Sequence, residues 1–120
     1  MKTTILVTGC AGFIGSNFVR QFKKKFPATA VIGIDNFATG RKSEVHPDIT
    51  FYEGSVNDAT LVEKIFSKHS PEYVFHFAAL PRVSYSVEEP VKTADTNILG
   101  TLTLLQAAKN NKTKKFIFSS

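Results

Sequence analysis

Apolar and polar positions along this chain switch repeatedly between two periods. Ile5-Leu6-Val7 is an unbroken apolar run, the pattern of a strand buried on both faces of a parallel sheet. It gives way to Thr8-Gly9-Cys10-Ala11-Gly12, a turn. From Phe13 to about Lys25 the apolar residues Ile14, Phe18, Val19, Phe22 and Phe26 recur at helical spacing, and Pro27 closes that helix. A second strand follows over Ala30–Asp35 and ends in a carboxylate. Residues 36–48, with Gly40, Ser43 and Pro47, predict a loop holding at most a short helical turn. A third strand is expected over 49–53, stopped by Gly54. Asp58 is placed to cap a helix with an apolar face of Leu61, Val62, Ile65 and Phe66, broken by Pro71. Residues 73–77 predict a fourth strand and residues 79–90 a loop. Val91, Ala94, Ile98, Leu102, Leu105 and Ala108 then mark a long amphipathic helix. Residues 115–118 close the series as a fifth strand.

Strands alternating with helices predict an α/β fold whose parallel sheet is joined by right-handed crossovers. The expectation is a doubly wound sheet of five strands in the order 3-2-1-4-5, with a crevice at the carboxyl ends of strands 1 and 4. The 120 residues suit one compact domain over 1–120, and a hydrophobic share of 42% suffices for its core. Eleven Phe and no Trp are a skewed aromatic choice without a chemical implication. A single cysteine, Cys10, excludes an internal disulfide framework. The first apolar run is too short for a signal-peptide core or a membrane span, so a soluble, cytoplasmic protein is expected, with no membrane partner. The net charge of +5 raises the question of nucleic acid. The cations gather as Lys23-Lys24-Lys25 and as Lys112, Lys114 and Lys115, each near the end of a predicted helix. There they complement the helix dipole and face water. No aromatic residues interleave with them for stacking, and no nucleic-acid partner is expected.

The chemistry starts in Thr8-Gly9-Cys10-Ala11-Gly12-Phe13-Ile14-Gly15. This glycine pattern follows a predicted strand, opens a predicted helix and lies in the first βαβ unit, the context a dinucleotide-binding Rossmann loop demands. Gly9 lets the backbone turn sharply, Gly12 lets a pyrophosphate approach the amides, and Gly15 lets the helix pack closely. The amides at that helix start, with its dipole, attract phosphate. Asp35 stands 20 positions after Gly15, closing the second strand. A carboxylate there accepts hydrogen bonds from ribose hydroxyls and repels a 2′-phosphate, which favours NAD over NADP as cofactor. Arg41 lies several residues further, in the loop.

The spacing T-G-x-x-G-x-x-G resembles the extended short-chain dehydrogenase/reductase family, within it the nucleotide-sugar epimerases and dehydratases. The likeness runs from about Thr3 to Ser120. It implies cofactor contacts by Gly9, Gly12, Phe13, Ile14 and Gly15 in the loop, and by Asp35, Asn36, Thr39 and Gly40 around the adenosine ribose. Glu53-Gly54-Ser55-Val56-Asn57-Asp58 takes the place of the family's G-D-[IV]-x-[DN] stretch beside the adenine, with Ser55 where Asp is usual and Val56 against the ring. His76-Phe77-Ala78-Ala79 matches H-x-A-A/G, so Phe77, Ala78 and Ala79 are expected to line the cofactor. Asn97-Ile98-Leu99-Gly100-Thr101 matches N-x-x-G-T, adding Asn97, and Ser119 falls near the nicotinamide end. The segment 80–90 is most similar to the UDP-hexose 4-epimerases, which makes Ser84 and Ser86 candidates for substrate contact.

That resemblance implies transient hydride transfer at C4 of a nucleotide-sugar hexose, with a tyrosine base activated by a nearby lysine. Sugar-nucleotide dehydratases and decarboxylases share the frame, and a non-catalytic NAD-binding module is the other reading. The expected Y-x-x-x-K pair is absent: positions four beyond Tyr52, Tyr73 and Tyr85 hold Val56, Phe77 and Glu89. The chain is therefore expected to be the amino-terminal part of a longer enzyme and inactive alone. A homodimer through the helix after Pro90 is also implied. Cys10 reads as a small residue that fits the loop and His76 as structural. His46 and His69 lack partners at metal-ligand spacing, so no metal site is expected.

Overall fold

The computed structural model describes residues 3–37, 40–77 and 100–118. Five parallel strands, β1 (Thr4–Thr8), β2 (Ala30–Asp35), β3 (Thr50–Glu53), β4 (Tyr73–His76) and β5 (Lys115–Phe118), line up as β3-β2-β1-β4-β5. This is the order expected of a doubly wound Rossmann sheet. β1 pairs with β2 from Thr4 opposite Ala30 to Thr8 opposite Ile34, and with β4 from Ile5 opposite Tyr73 to Thr8 opposite His76. The strand order reverses between β1 and β4, so the segments that leave them diverge and open a crevice at their carboxyl ends.

Strand alternation sends side chains to two different cores. On one face Leu6, Ile32, Ile34 and Val74 pack with Val62, Ile65 and Phe66 of α2 (Ala59–His69) and with Leu104, Ala107 and Ala108 of α3 (Gly100–Asn110). On the other face Ile5, Val7 and Val31 meet Val19 of α1 (Phe13–Lys25), surrounded by Phe18, Phe22, Phe51, Phe75 and Phe77. The phenylalanine excess is concentrated here. The Phe18 ring lies 4.6 Å from Phe75 and 5.5 Å from Phe77, within the range of favourable tilted pairs.

Local signals set the ends of these elements. Lys23, Lys24 and Lys25 occupy the last turn of α1. Lys23 Nζ donates to the carbonyls of Pro27 and Thr29 at 3.4 and 3.2 Å, placing a cation at the negative helix end. The Asp58 side chain caps α2 by accepting from the Leu61 amide at 3.2 Å, and Ser70, in the left-handed region at φ 46°, ends it before Pro71. The expected short turn is a 3-10 turn at Lys42–Glu44. Three strands differ by a residue at their ends from expectation, and β1 does so at both, reaching Thr4 and Thr8. β3 begins at Thr50, with Ile49 packing against the α1-side core, and β4 ends at His76, paired with Thr8 through the Phe77 amide.

The facing of α3 corrects the sequence reading. Leu102 and Leu105, expected on the core stripe, are 57% and 40% exposed; Ala108, expected with them, is buried as read, and Leu104 and Ala107 are buried beside it. The helix carries two apolar stripes, and the one that turns inward holds two alanines, which allow close approach to α2 and the sheet. Val91, Ala94, Ile98 and the 79–90 loop lie outside the described residues. No helix among the described residues is long and apolar enough to cross a membrane.

Candidate dinucleotide site

The chain leaves β1 through Gly9, at φ 69°, a conformation that glycine alone adopts without cost. The Gly9 amide returns to the Ile34 carbonyl at 2.9 Å, and Gly12 becomes the residue that opens α1. A Cβ on Gly15 would land on the Gly9 carbonyl oxygen. Gly15 thus lets the helix close onto its own loop, where the motif alone implied only close packing. Gly12 differs: among the described residues a Cβ there would meet nothing within 4 Å except Gly9 O at 3.4 Å, so on their side the space beside it is open.

That open space adjoins a helix start to which α1 itself brings no counter-charge. Gly12 provides no side-chain cap, and the first turn of α1 contains no acidic residue. The amides of Phe13, Ile14 and Gly15 have no main-chain acceptor among the described residues. Donors with no main-chain partner among the described residues and the positive end of the dipole therefore come together at the helix start. Phe13 and Ile14, 84% and 56% exposed, add apolar surface at the same spot.

Asp35 stands beside this loop, 8% exposed. Its Oδ2 accepts from the Ala11 amide at 2.9 Å and its Oδ1 from the Phe37 amide at 2.7 Å. The carboxylate is thereby held still, and each oxygen keeps acceptor capacity for a hydroxyl such as those of a ribose. Phe37 is itself in the left-handed region at φ 61°, a cost of about 1–2 kcal/mol for a non-glycine residue. Its ring packs 5.6 Å from Phe51. The same loop is stitched back onto the glycine turn. Arg41 N donates to Ala11 O at 3.2 Å, and a Cβ on Gly40 would strike that carbonyl. Asn36 is exposed at the rim.

The remaining expected residues fall in three places. Ser55 Oγ accepts from the Asn57 amide at 3.0 Å, and Val56 is 4% exposed within the α2-side core. Phe77 sends its ring to Phe18 and its amide to Thr8. Thr39, Ala78, Ala79, Ser84, Ser86, Asn97 and Ser119 lie outside the described residues. Cys10 is buried, and burial first, with the Asp35 charge second, pushes its thiol up to about 12, so it carries no thiolate chemistry near neutrality. His76 is 3% exposed, and burial holds its ring near 4, uncharged at neutral pH.

Sequence reasoning passed over Ala11, whose amide and carbonyl both anchor neighbours, and the hydroxyl of Thr8. The only available signal for Thr8 was a polar residue ending an otherwise apolar strand.

The arrangement offers anion-binding amides, a fixed carboxylate a short step away and small residues between them. The residues present fit a dinucleotide, and known proteins with this frame carry one. The UDP-glucose 4-epimerase of Thermotoga maritima, solved with UDP-glucose, superimposes with a TM-score of 0.94 at 47% identity, over 98% of this chain and 38% of that one. The Thermus thermophilus UDP-glucose 4-epimerase, solved with NAD, gives 0.93 at 37% identity, over 98% and 37%. Among curated relatives, the UDP-glucose 4-epimerase of Lactobacillus helveticus is 40% identical over 116 residues. The chain spans 34% of its length, with 97% of the chain aligned. A dTDP-D-glucose 4,6-dehydratase of Dictyostelium discoideum is 38% identical over 125 residues, covering 97% of this chain and 28% of that protein. The model of one family matches residues 5–120. By its sheet, its glycine loop and that match, this chain belongs to the NAD dependent epimerase/dehydratase family.

Proposed function

We propose that this chain is the NAD-binding part of a nucleotide-sugar 4-epimerase acting on a UDP-hexose. The observation that carries the reading is the uncapped start of α1, open beside Gly12 and flanked by the fixed carboxylate of Asp35. The amides of Phe13, Ile14 and Gly15 bind the pyrophosphate, and Asp35 holds the adenosine ribose and disfavours a 2′-phosphate. Asn36, Thr39 and Gly40 border that ribose, with Ser55 and Val56 near the adenine. The main chain at Phe77, with Ala78, Ala79, Asn97 and Ser119, completes the cofactor cradle. Ser84 and Ser86 contact the sugar nucleotide. NAD, when bound, supplies a transient hydride acceptor for C4 of the hexose.

None of the three tyrosines has lysine four positions on, so the 120 residues alone bind without turnover. A soluble, cytoplasmic enzyme is part of the proposal, as is pairing of two copies through α3, whose Leu102 and Leu105 face outward.

Calorimetric titration tests the core of this reading. The parent chain should bind NAD more tightly than NADP, and Gly12→Val, which fills the open space, should abolish binding. Undiminished NAD affinity in Gly12→Val would show the cofactor to be placed wrongly. The likeness to the Dictyostelium dehydratase favours a second reading, dehydration of a sugar nucleotide. Product analysis of a polypeptide that also carries a Y-x-x-x-K segment separates the two: epimerised UDP-hexose against a 4-keto-6-deoxy sugar.

A further inference from the structure

Arg20, Lys23 and Lys24 stand three and four residues apart on one face of α1. Like charges at that spacing repel one another along a helix. Among the described residues no carboxylate forms an ion pair with any of the three. Facing them, the turn before β3 brings His46 and Asp48, and with Pro27 these residues line an open groove of about 560 Å³. That size suits a small ligand. The groove is separate from the dinucleotide site, because Lys24 lies eleven residues beyond Phe13, about 16 Å along the helix axis.

Donors outnumber acceptors in this groove. Arg20 gives one of its five N–H groups to Asn17 Oδ1 at 2.6 Å and keeps the others. Lys23 is half-buried, and the Pro27 and Thr29 carbonyls pin its ammonium group while leaving it one further N–H. Lys24 is exposed. His46 Nδ1 accepts from the Asp48 amide at 3.0 Å, so the ring hydrogen is on Nε2 and adds a fourth donor group. Against these, Asp48 is the one carboxylate lining the groove among the described residues. Three cations against one carboxylate leave a surplus of two positive charges. A phosphate monoester matches that surplus, with a charge of about −1.5 to −2 near neutral pH and three acceptor oxygens.

We propose that the groove between the last turns of α1 and the turn at residues 46–48 is a second binding site, for a small phosphate monoester. Arg20, Lys23, Lys24 and His46 hold the phosphate, and Asp48 accepts from a hydroxyl of the group it esterifies. A nucleic acid fits less well, because no aromatic residue lines the groove among the described residues to stack a base. The site does not depend on the NAD reading above.

The test titrates glucose 6-phosphate and inorganic phosphate into the parent, Arg20→Glu, Lys24→Glu and Lys25→Glu, following backbone amide shifts, with melting curves for each variant. Salt is kept at about 0.15 M, where screening acts within about 8 Å, and each titration is run with and without saturating NAD. The parent should bind glucose 6-phosphate at millimolar concentration or below, with shifts centred on the end of α1 and residues 46–48, and equally well with NAD present. Glucose itself should not bind. Arg20→Glu and Lys24→Glu should each weaken the sugar phosphate at least about tenfold, as the loss of a charge-assisted bond implies. Lys25→Glu, next in sequence but not lining the groove, should bind within about twofold of the parent. A parent that takes neither glucose 6-phosphate nor inorganic phosphate overturns the site, and so does an equal loss in all three variants, which would mark diffuse charge. Displacement by NAD would put the phosphate at the start of α1 and overturns the groove. Duplex DNA bound in its place, and weakened by the same variants, would give this face to nucleic acid and overturns the monoester. A parent that takes no NAD overturns the cofactor reading alone, and the groove is then decided by the three variants.

Discussion

Gly12 and Gly15 stand three residues apart in one loop, yet a methyl group would do different things at each. At Gly15 it would press on the Gly9 carbonyl, which cannot retreat without opening the turn. Gly15→Ala should therefore destabilise the fold by about 1–3 kcal/mol, the usual cost of overpacking, read from urea denaturation. At Gly12 the space is open, so Gly12→Ala should leave stability near the parent's while weakening NAD, a contrast visible when denaturation and titration are run on the same two variants. His76 adds a pH dependence. Its ring titrates near 6.5 in the unfolded chain and about 4 in the fold, where burial disfavours the charge. Its contribution to stability is whole above pH 6.5, declines as pH falls through the window down to 4, and has gone below it. The full effect is on the order of 3 kcal/mol. His76→Phe should flatten that part of the stability profile; an equally steep profile in the variant would assign the slope to other groups. Cys10, with its thiol pushed up to about 12, should resist alkylation at pH 8 in the folded chain and react once urea unfolds it.

Among the elements, α3 marks the limit of what periodicity reveals. Leu102 and Leu105 form one apolar stripe, while Leu104, Ala107 and Ala108 form another. Helical spacing detects both but cannot say which faces the sheet, since that depends on the contour of α2 and β4 against which the helix lies. Leu104→Ala should cost about 2–5 kcal/mol, the range for emptying a buried leucine site. Leu102→Ala should cost much less when unfolding is followed on the monomer. Replacing Leu102 and Leu105 together with lysine should abolish any self-association seen by sedimentation; a dimer that persists would mean that another surface pairs the copies. Strands and the other helices were legible because each carried a strong local signal: unbroken apolar runs for β1 and β2, the Asp58 cap for α2, Pro27 and Pro71 for the helix ends. The one-residue shifts at β1, β3 and β4 were not, because pairing with a neighbour, rather than side-chain pattern, decides where a ladder starts and stops.

For the whole molecule, the strand order followed from the alternation of elements, and the crevice from that order. Within the crevice, the glycines and Asp35 were readable because their spacing is a property of one βαβ unit. The bonds that connect Ala11 to Asp35, Arg41 to Ala11 and Thr8 to His76 join residues far apart in sequence, and no local pattern announces them. A ligand that binds only the folded chain must raise its melting temperature by mass action. Rising NAD should shift the transition upward steadily, and NADP should do so less at equal concentration. The division of Asp35 between the Ala11 and Phe37 amides carries a practical consequence for redesign. Exchanging this acid for a neutral or basic residue, the obvious route to accepting a phosphorylated ribose, would also strip two main-chain donors of their acceptor and loosen the glycine turn proposed to bind the diphosphate. Converting the cofactor preference therefore calls for a replacement that still accepts from Ala11, with the added positive charge supplied elsewhere on the rim.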